Sequence, residues 1–87
     1  MPEILRATIQ GTGSALPPRC VTNEELAPML GVTAPWIRVR TGVEQRYYTE
    51  EGVYTSDLAL EASRKALEDA GIEAGDLDLI IFGTLSP

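Results

Sequence analysis

The order of its local sequence patterns predicts an α/β fold for this 87-residue chain. Segments typical of strands alternate with segments that carry helix-capping residues and helical periodicity. The last predicted strand, residues 77–82, ends in four consecutive apolar residues, which is typical of a strand covered on both faces in a parallel sheet. The predicted order is strand, two helices, strand, helix and strand, and right-handed crossovers would lay the strands side by side with helices packed across them.

The first predicted strand is residues 4–10, and it leads into a glycine-rich turn. Gly11 and Gly13 supply the backbone freedom for that turn. They invite comparison with a dinucleotide-binding fingerprint, but Leu16 replaces its third glycine and Pro17 stands where its helix should start. We therefore predict a tight turn at a strand end and not a phosphate site.

Two short helices and a strand are predicted next. Thr22 and Glu25 match a capping box, and Gly31 can end the first helix in a left-handed conformation. The predicted buried face of this helix consists of Leu26, Met29 and Leu30. Thr33 can cap the second helix, which should end at Thr41 and Gly42. Residues 43–48 alternate with the period of a strand.

The longest predicted helix opens at Thr55 and ends at Gly71. Its small residues fall on one side and would allow close approach of a neighbouring element. This stripe consists of Ala59, Ala62, Ser63, Ala66, Leu67 and Ala70. On the opposite side, Glu61 and Lys65 are placed to form a surface ion pair.

Composition and length limit the possible functions. A net charge of −6 argues against a nucleic-acid-binding surface, although Arg38, Arg40 and Arg46 cluster locally and could attract an anionic ligand. No apolar run approaches the roughly 20 residues of a membrane helix, and the start does not resemble a signal peptide. One cysteine allows no internal disulfide. We therefore expect a cytoplasmic protein without a membrane partner.

The predicted final strand needs cover on both faces and a neighbour along its edges. A chain of this length buries only a modest share of its surface, so its stability alone would be marginal. We therefore expect a fragment, a nicked N-terminal piece or one half of a split protein, with the remainder in another polypeptide.

Catalytic residues are not expected within this chain. It has no histidine, so Cys20 has no imidazole base, and Arg19 alone would activate a thiol only weakly. Cysteine and histidine partners for a metal are missing as well. The acidic residues are accounted for by capping and solvation. We predict no catalytic residue and no metal site here.

Trp36 and Arg40 are the candidate binding residues. Four residues apart on a helix, they place an indole face beside a guanidinium group. The indole could stack on a purine, and the guanidinium fork matches phosphate oxygens. The alternative is a structural role, with the tryptophan packed in the core and Arg40 tied to Glu44 or Glu24.

Seven motifs in register resemble the opening of the β-ketoacyl-acyl-carrier-protein synthase III family, which belongs to the thiolase superfamily. They are Gly11-Thr12-Gly13-Ser14 with Leu16-Pro17, Thr22-Asn23, Trp36-Ile37, Arg40-Thr41-Gly42-Val43 with Arg46, Thr55-Ser56-Asp57-Leu58-Ala59, Ala70-Gly71-Ile72 and Gly83-Thr84. The resemblance implies a thiolase-like layered fold of two similar α/β halves, with residues 1–87 as the first part of the N-terminal half, incomplete in this chain.

The resemblance also implies a function. Family members take an acyl group from acyl-CoA on a cysteine, and histidine and asparagine then promote decarboxylative condensation with malonyl-carrier protein. Those three residues lie beyond this segment in the family, and Cys20 does not match the nucleophile. By resemblance, Trp36 and Arg40 contact the adenine and phosphate end of coenzyme A. Implied partners are the remainder of the synthase, a homodimer partner, acyl-CoA and acyl carrier protein. Coenzyme A thioester is a substrate, and no cofactor is bound permanently.

Two features leave the reaction open at this point. Ala34 and Pro35 precede Trp36 where the family commonly has acidic residues. Related superfamily members include acyltransferases and starter-unit enzymes of polyketide or quinolone pathways, and this region separates them poorly. A non-catalytic binding module is the competing class.

Overall fold

The computed structural model describes residues 4–85 and divides into two compact units. The central unit is Leu16–Tyr54. The outer unit combines the chain up to Ala15 with the chain from Thr55 onward.

The central unit contains two strands and two helices. In chain order they are β1 (Arg19–Thr22), α1 (Asn23–Leu30), α2 (Ala34–Thr41) and β2 (Gln45–Tyr48). The strands pair antiparallel, with Val21 opposite Arg46. This pairing corrects two predictions: β1 was not predicted, and the sheet formed by the described residues is antiparallel rather than parallel.

Threonine caps and left-handed glycines set the bounds of both helices, as predicted. The Thr22 hydroxyl accepts a hydrogen bond from the Glu25 amide at 3.3 Å, and Thr33 accepts one from the Trp36 amide at 3.3 Å. Gly31 (φ 69°) and Gly42 (φ 72°) follow the two helices in the left-handed conformation. The capping box is only half formed, since the Glu25 carboxylate pairs with Arg19 at 3.4 Å.

The core of the central unit is small. It consists of Val21, Asn23, Ala27 and Ile37. The predicted buried face of α1 is therefore wrong for Met29 and Leu30, which are 77% and 59% exposed. Asn23 and Ala27 mark the side of α1 that is turned inward, and Met29 lies about 200° around the helix from Ala27 at about 100° per residue.

The outer unit is built on α3 (Thr55–Ala70), which begins and ends where the sequence predicts. A short 3-10 turn, Ala74–Asp76, follows it. Residues 4–10 and 77–82, predicted as strands, have no regular secondary structure. A strand is defined by hydrogen bonds to a neighbour, and within residues 4–85 neither segment has a paired strand. The apolar side chains of residues 79–82 are exposed.

The glycine-rich segment, residues 11–14, packs directly on the small-residue stripe of α3. It contains no turn or bend, and neither Gly11 nor Gly13 has a positive φ, so the predicted tight turn at a strand end is wrong. A Cβ atom on Gly11 would lie 2.6 Å from the Ala66 carbonyl oxygen, and one on Gly13 would lie 2.6 Å from the Ala66 amide nitrogen. The Thr12 amide donates to the Asp69 carboxylate at 3.0 Å. Gly11 and Gly13 therefore allow a loop to lie against a helix backbone, which is the close approach that the stripe predicted.

Candidate ligand-binding site

Trp36 and Arg40 form the candidate site on α2. The guanidinium carbon of Arg40 lies over the indole, 4.9 Å from the ring centroid. This is cation–π geometry, and it fulfils the spacing argument made from the sequence. Trp36 is 46% exposed and Arg40 is exposed as well. An aromatic face and a cation are thus presented together to solvent.

Within residues 4–85, Trp36 is not packed in the core, and Arg40 lies over its ring. Trp36 lies outside the core, whose only residue from α2 is Ile37. The Glu44 carboxylate is paired with the Arg38 guanidinium at 3.0 Å. Arg40 instead stacks on Trp36, which leaves the directional N–H groups at the edge of its guanidinium plane suited to an anion.

Local interactions hold α2 at both ends. Ile37 is its buried anchor, and Thr33 caps its start. At its end the Thr41 hydroxyl donates to the Ile37 carbonyl at 2.7 Å and accepts from the Val43 amide at 3.1 Å. The turn after the helix is thereby tied back to the helix itself.

A buried polar cluster lies beside that turn. Asn23 is only 4% exposed, and its side-chain amide donates to the Val43 carbonyl at 2.8 Å. Its side-chain oxygen accepts from Arg46, which also donates to the Val21 carbonyl at 3.2 Å. The Asn23 backbone amide donates to the Glu44 carbonyl at 3.2 Å. Sequence reasoning missed Asn23, whose only signal was its place in the Thr22-Asn23 motif.

The local arginine cluster predicted from the sequence is not one anion site. Arg38 is neutralised by Glu44, Arg46 is occupied by Asn23 and Val21, and Arg40 lies on Trp36. A surface depression of about 460 Å³ separates the start of α1 from α2, but neither Trp36 nor Arg40 lines it. Of the three arginines, the candidate site uses Arg40.

Cys20 and Arg19, which the sequence analysis weighed as a nucleophile and its activator, both lie on β1. Cys20 is exposed on β1, opposite Tyr47. Arg19 pairs with Glu25 and lies 5.7 Å from the Tyr48 ring centroid. Within residues 4–85, acidic, cysteine and histidine side chains form no group suited to a metal ion. No helix in that range is long and apolar enough to cross a membrane.

The polar contacts of the glycine-rich segment are made with side chains of α3. The amide of Thr12 is already occupied by the carboxylate of Asp69, an anion that would repel phosphate. Lys65 donates to the Ser14 carbonyl at 3.2 Å and lies 3.5 Å from Glu61. These contacts assign the segment a packing role on α3.

Comparisons with known proteins show what the chain is similar to. A β-ketoacyl-acyl-carrier-protein synthase III of Erythrobacter litoralis is 52% identical over 84 residues, 97% of this chain and 26% of that protein. The structure matches the synthase III of Aquifex aeolicus with a TM-score of 0.72 and 33% identity, over 80% of this chain and 22% of the other. The priming β-ketosynthase of the R1128 polyketide pathway matches with a TM-score of 0.74 and 32% identity, over 91% of this chain and 25% of the other.

No protein-family model matches the chain. The chain spans about a quarter of the length of the curated relatives it matches. Its described fold is part of the thiolase-like fold of the solved synthases. The resemblance predicted from the motifs is confirmed: the chain is homologous to β-ketoacyl-acyl-carrier-protein synthase III over about a quarter of that protein's length.

Proposed function

We propose that this chain is the N-terminal segment of a condensing enzyme that takes an acyl group from acyl-CoA and joins it to malonyl-carrier protein by decarboxylative Claisen chemistry. The enzyme would serve fatty acid or related biosynthesis in the cytoplasm. Its partners would be a second copy of itself and acyl carrier protein, with neither nucleic acid nor membrane. Sequence identities of 52% and 48% to synthase III relatives, over about a quarter of their length, support this assignment.

In this proposal the segment supplies substrate contact and the rest of the enzyme supplies the chemistry. The segment contains no histidine, and its single cysteine is exposed on β1 with no imidazole to activate it. Nucleophile, histidine and asparagine would therefore come from the polypeptide that completes the fold. No permanently bound cofactor is required, because coenzyme A arrives and leaves as part of the substrate.

The observation that carries the ligand assignment is the exposed Trp36–Arg40 pair. Arg40 covers one face of the indole, so the opposite face is the one left to stack on an adenine ring, while the edge of the guanidinium offers a fork to a phosphate. The two groups are 4.9 Å apart. A ligand that carries both a purine and a phosphate, as the nucleotide end of coenzyme A does, could contact both groups.

The test is coenzyme A binding by the complete enzyme that carries Trp36→Ala together with Arg40→Ala. Loss of a stacking contact and a charge-assisted hydrogen bond should raise the Kd for coenzyme A by roughly 30-fold or more, since such contacts contribute about 1–3 kcal/mol each. Recognition of acyl carrier protein should change little. Met29→Ala, another exposed residue of the central unit, is the control. An unchanged Kd in the double variant would return both residues to a structural role.

A second candidate reaction is starter-unit transfer of the polyketide type, which the structural match to a priming β-ketosynthase favours. Superfamily acyl transfer without decarboxylation belongs to the same alternative. Product analysis with acetyl and malonyl donors separates them, because condensation releases carbon dioxide and lengthens the acyl chain. A non-catalytic module would give neither product.

A further inference from the structure

Asn23 stands out among the described residues because it is their one buried polar side chain. A buried polar group has to be fully hydrogen-bonded to avoid a desolvation penalty. Asn23 meets this condition with both ends of its side-chain amide, one toward Val43 and one toward Arg46. An apolar side chain in its place would need no such network. The network therefore indicates that Asn23 positions the groups to which it is bonded.

The contacts lead from Asn23 to the end of α2. Asn23 donates to the Val43 carbonyl, and the Val43 amide donates to the Thr41 hydroxyl. Thr41 in turn donates to the Ile37 carbonyl. Both polar backbone groups of Val43 are therefore held, one by Asn23 and one by the residue that follows Arg40 in the chain.

The turn between these residues would otherwise be loosely held. Gly42 is left-handed, and no atom lies within 4 Å of a Cβ built on it. Its amide donates to the Arg38 carbonyl at 2.8 Å, which closes the helix but does not attach it to its surroundings. Asn23 supplies such an attachment from α1, and Arg46 orients Asn23 from β2.

We infer that Asn23, oriented by Arg46, is a positioning residue that fixes the end of α2 and thereby aims the Trp36–Arg40 pair at its ligand. This inference rests on the proposed function, because it assigns Asn23 to the same binding site. Arg46 suits this task because its planar fork reaches Asn23 and the Val21 carbonyl together. A lysine offers one point charge and could not reproduce both contacts in that geometry.

The test is Asn23→Asp in the complete enzyme, with coenzyme A and pantetheine as probes. Aspartate keeps the acceptor for Arg46 but replaces the amide donor with an oxygen that faces the Val43 carbonyl. We expect the Kd for coenzyme A to rise about tenfold, in line with one lost buried hydrogen bond. The Kd for pantetheine, which lacks the nucleotide, should stay within twofold. Iodide quenching of Trp36, taken as the difference from the matching Trp36→Phe variant, should also change.

Gln45→Ala is the matched control, because Gln45 is an exposed neighbour on β2 whose side chain bonds only to the Tyr47 hydroxyl in the described contacts. It should leave both Kd values and the quenching unchanged. A folded Asn23→Asp enzyme with unchanged coenzyme A affinity would overturn the inference. If Asn23→Asp does not fold, the coenzyme A affinities of Thr41→Val and Thr41→Ser test the inference instead. Only the serine variant retains the hydroxyl that bonds to the Val43 amide. Weaker coenzyme A binding in the valine variant alone supports the relay, and equal affinity in both variants overturns it.

The two sets of variants distinguish a failure of this inference from a failure of the proposed function. If Trp36→Ala with Arg40→Ala weakens coenzyme A binding but Asn23→Asp does not, only the positioning role is lost. If the double variant leaves coenzyme A binding unchanged, the ligand assignment is lost, and with it the role given to Asn23.

Discussion

Replacement of Gly11 by alanine tests how closely the glycine-rich segment, residues 11–14, packs on α3. The added methyl group would lie 2.6 Å from the Ala66 carbonyl oxygen, 2.6 Å from the Ala70 amide nitrogen and 2.8 Å from the Ala70 Cβ. Two of these three atoms belong to the helix backbone and cannot rotate away. The glycine-rich segment or the helix would therefore have to shift.

The magnitude follows from the cost of overpacking. Inserting a methyl group into a filled space costs about 1–3 kcal/mol, and we expect about 2 kcal/mol here because backbone atoms are involved. The free energy of unfolding of the complete enzyme should fall by about this amount, and its Tm should fall with it. The shift should also strain the hydrogen bond between the Thr12 amide and Asp69.

The assay is thermal and urea unfolding of the complete enzyme, followed by circular dichroism. Gly75→Ala is the matched control, because no atom lies within 4 Å of its Cβ position and its backbone is not left-handed. Alanine at Gly75 should leave the free energy of unfolding unchanged or raise it by about 0.4–1 kcal/mol. Equal stability of the Gly11→Ala and Gly75→Ala variants would refute the close packing of the glycine-rich segment on α3.

Two further substitutions test the central unit. Thr33→Val removes the hydroxyl that caps α2 and should lower the free energy of unfolding by about 1 kcal/mol in urea titrations, whereas Thr33→Ser should lose little. A valine variant as stable as the serine variant would show that the cap contributes nothing. Arg38→Gln breaks the exposed pair with Glu44 and should cost about 1 kcal/mol or less, a difference that high salt abolishes. A larger loss that salt does not reduce would contradict the assignment of this pair as a surface contact.

The helices could be predicted from the sequence because their signals are local. A capping threonine and the glycine that ends the helix lie within a few residues of it, so Thr22, Gly31, Thr33 and Gly42 give the bounds directly. The periodicity of α3 likewise predicted its small-residue stripe. The stripe packs on the segment at Gly11, which is distant in sequence, and this contact was not predicted.

The strands were predicted less well because pairing depends on residues far apart in the chain. β1 has only four residues and no alternation strong enough to mark it, and it exists through its pairing with β2. Residues 77–82 gave the strongest strand signal, yet they have no paired neighbour within the described residues. Hydrophobicity predicted a segment to be covered, but a strand also needs a partner for its backbone.

The candidate site likewise combines one contact that is local in sequence with one that is not. Trp36 and Arg40 are one helical turn apart, so their contact follows from spacing alone. Arg46 and Asn23 are far apart in the sequence, and no local pattern indicates their contact. The sequence therefore predicted the exposed pair but not the cluster beside it.

The central claim, that Trp36 receives the nucleotide end of coenzyme A, is tested most directly by a fluorescence titration of the complete enzyme. The signal of Trp36 is the difference between the enzyme and its Trp36→Phe variant. Stacking of adenine on the indole predicts saturable quenching of this signal by coenzyme A and none by pantetheine. Equal responses to the two compounds, or no saturable response to coenzyme A, would contradict the claim.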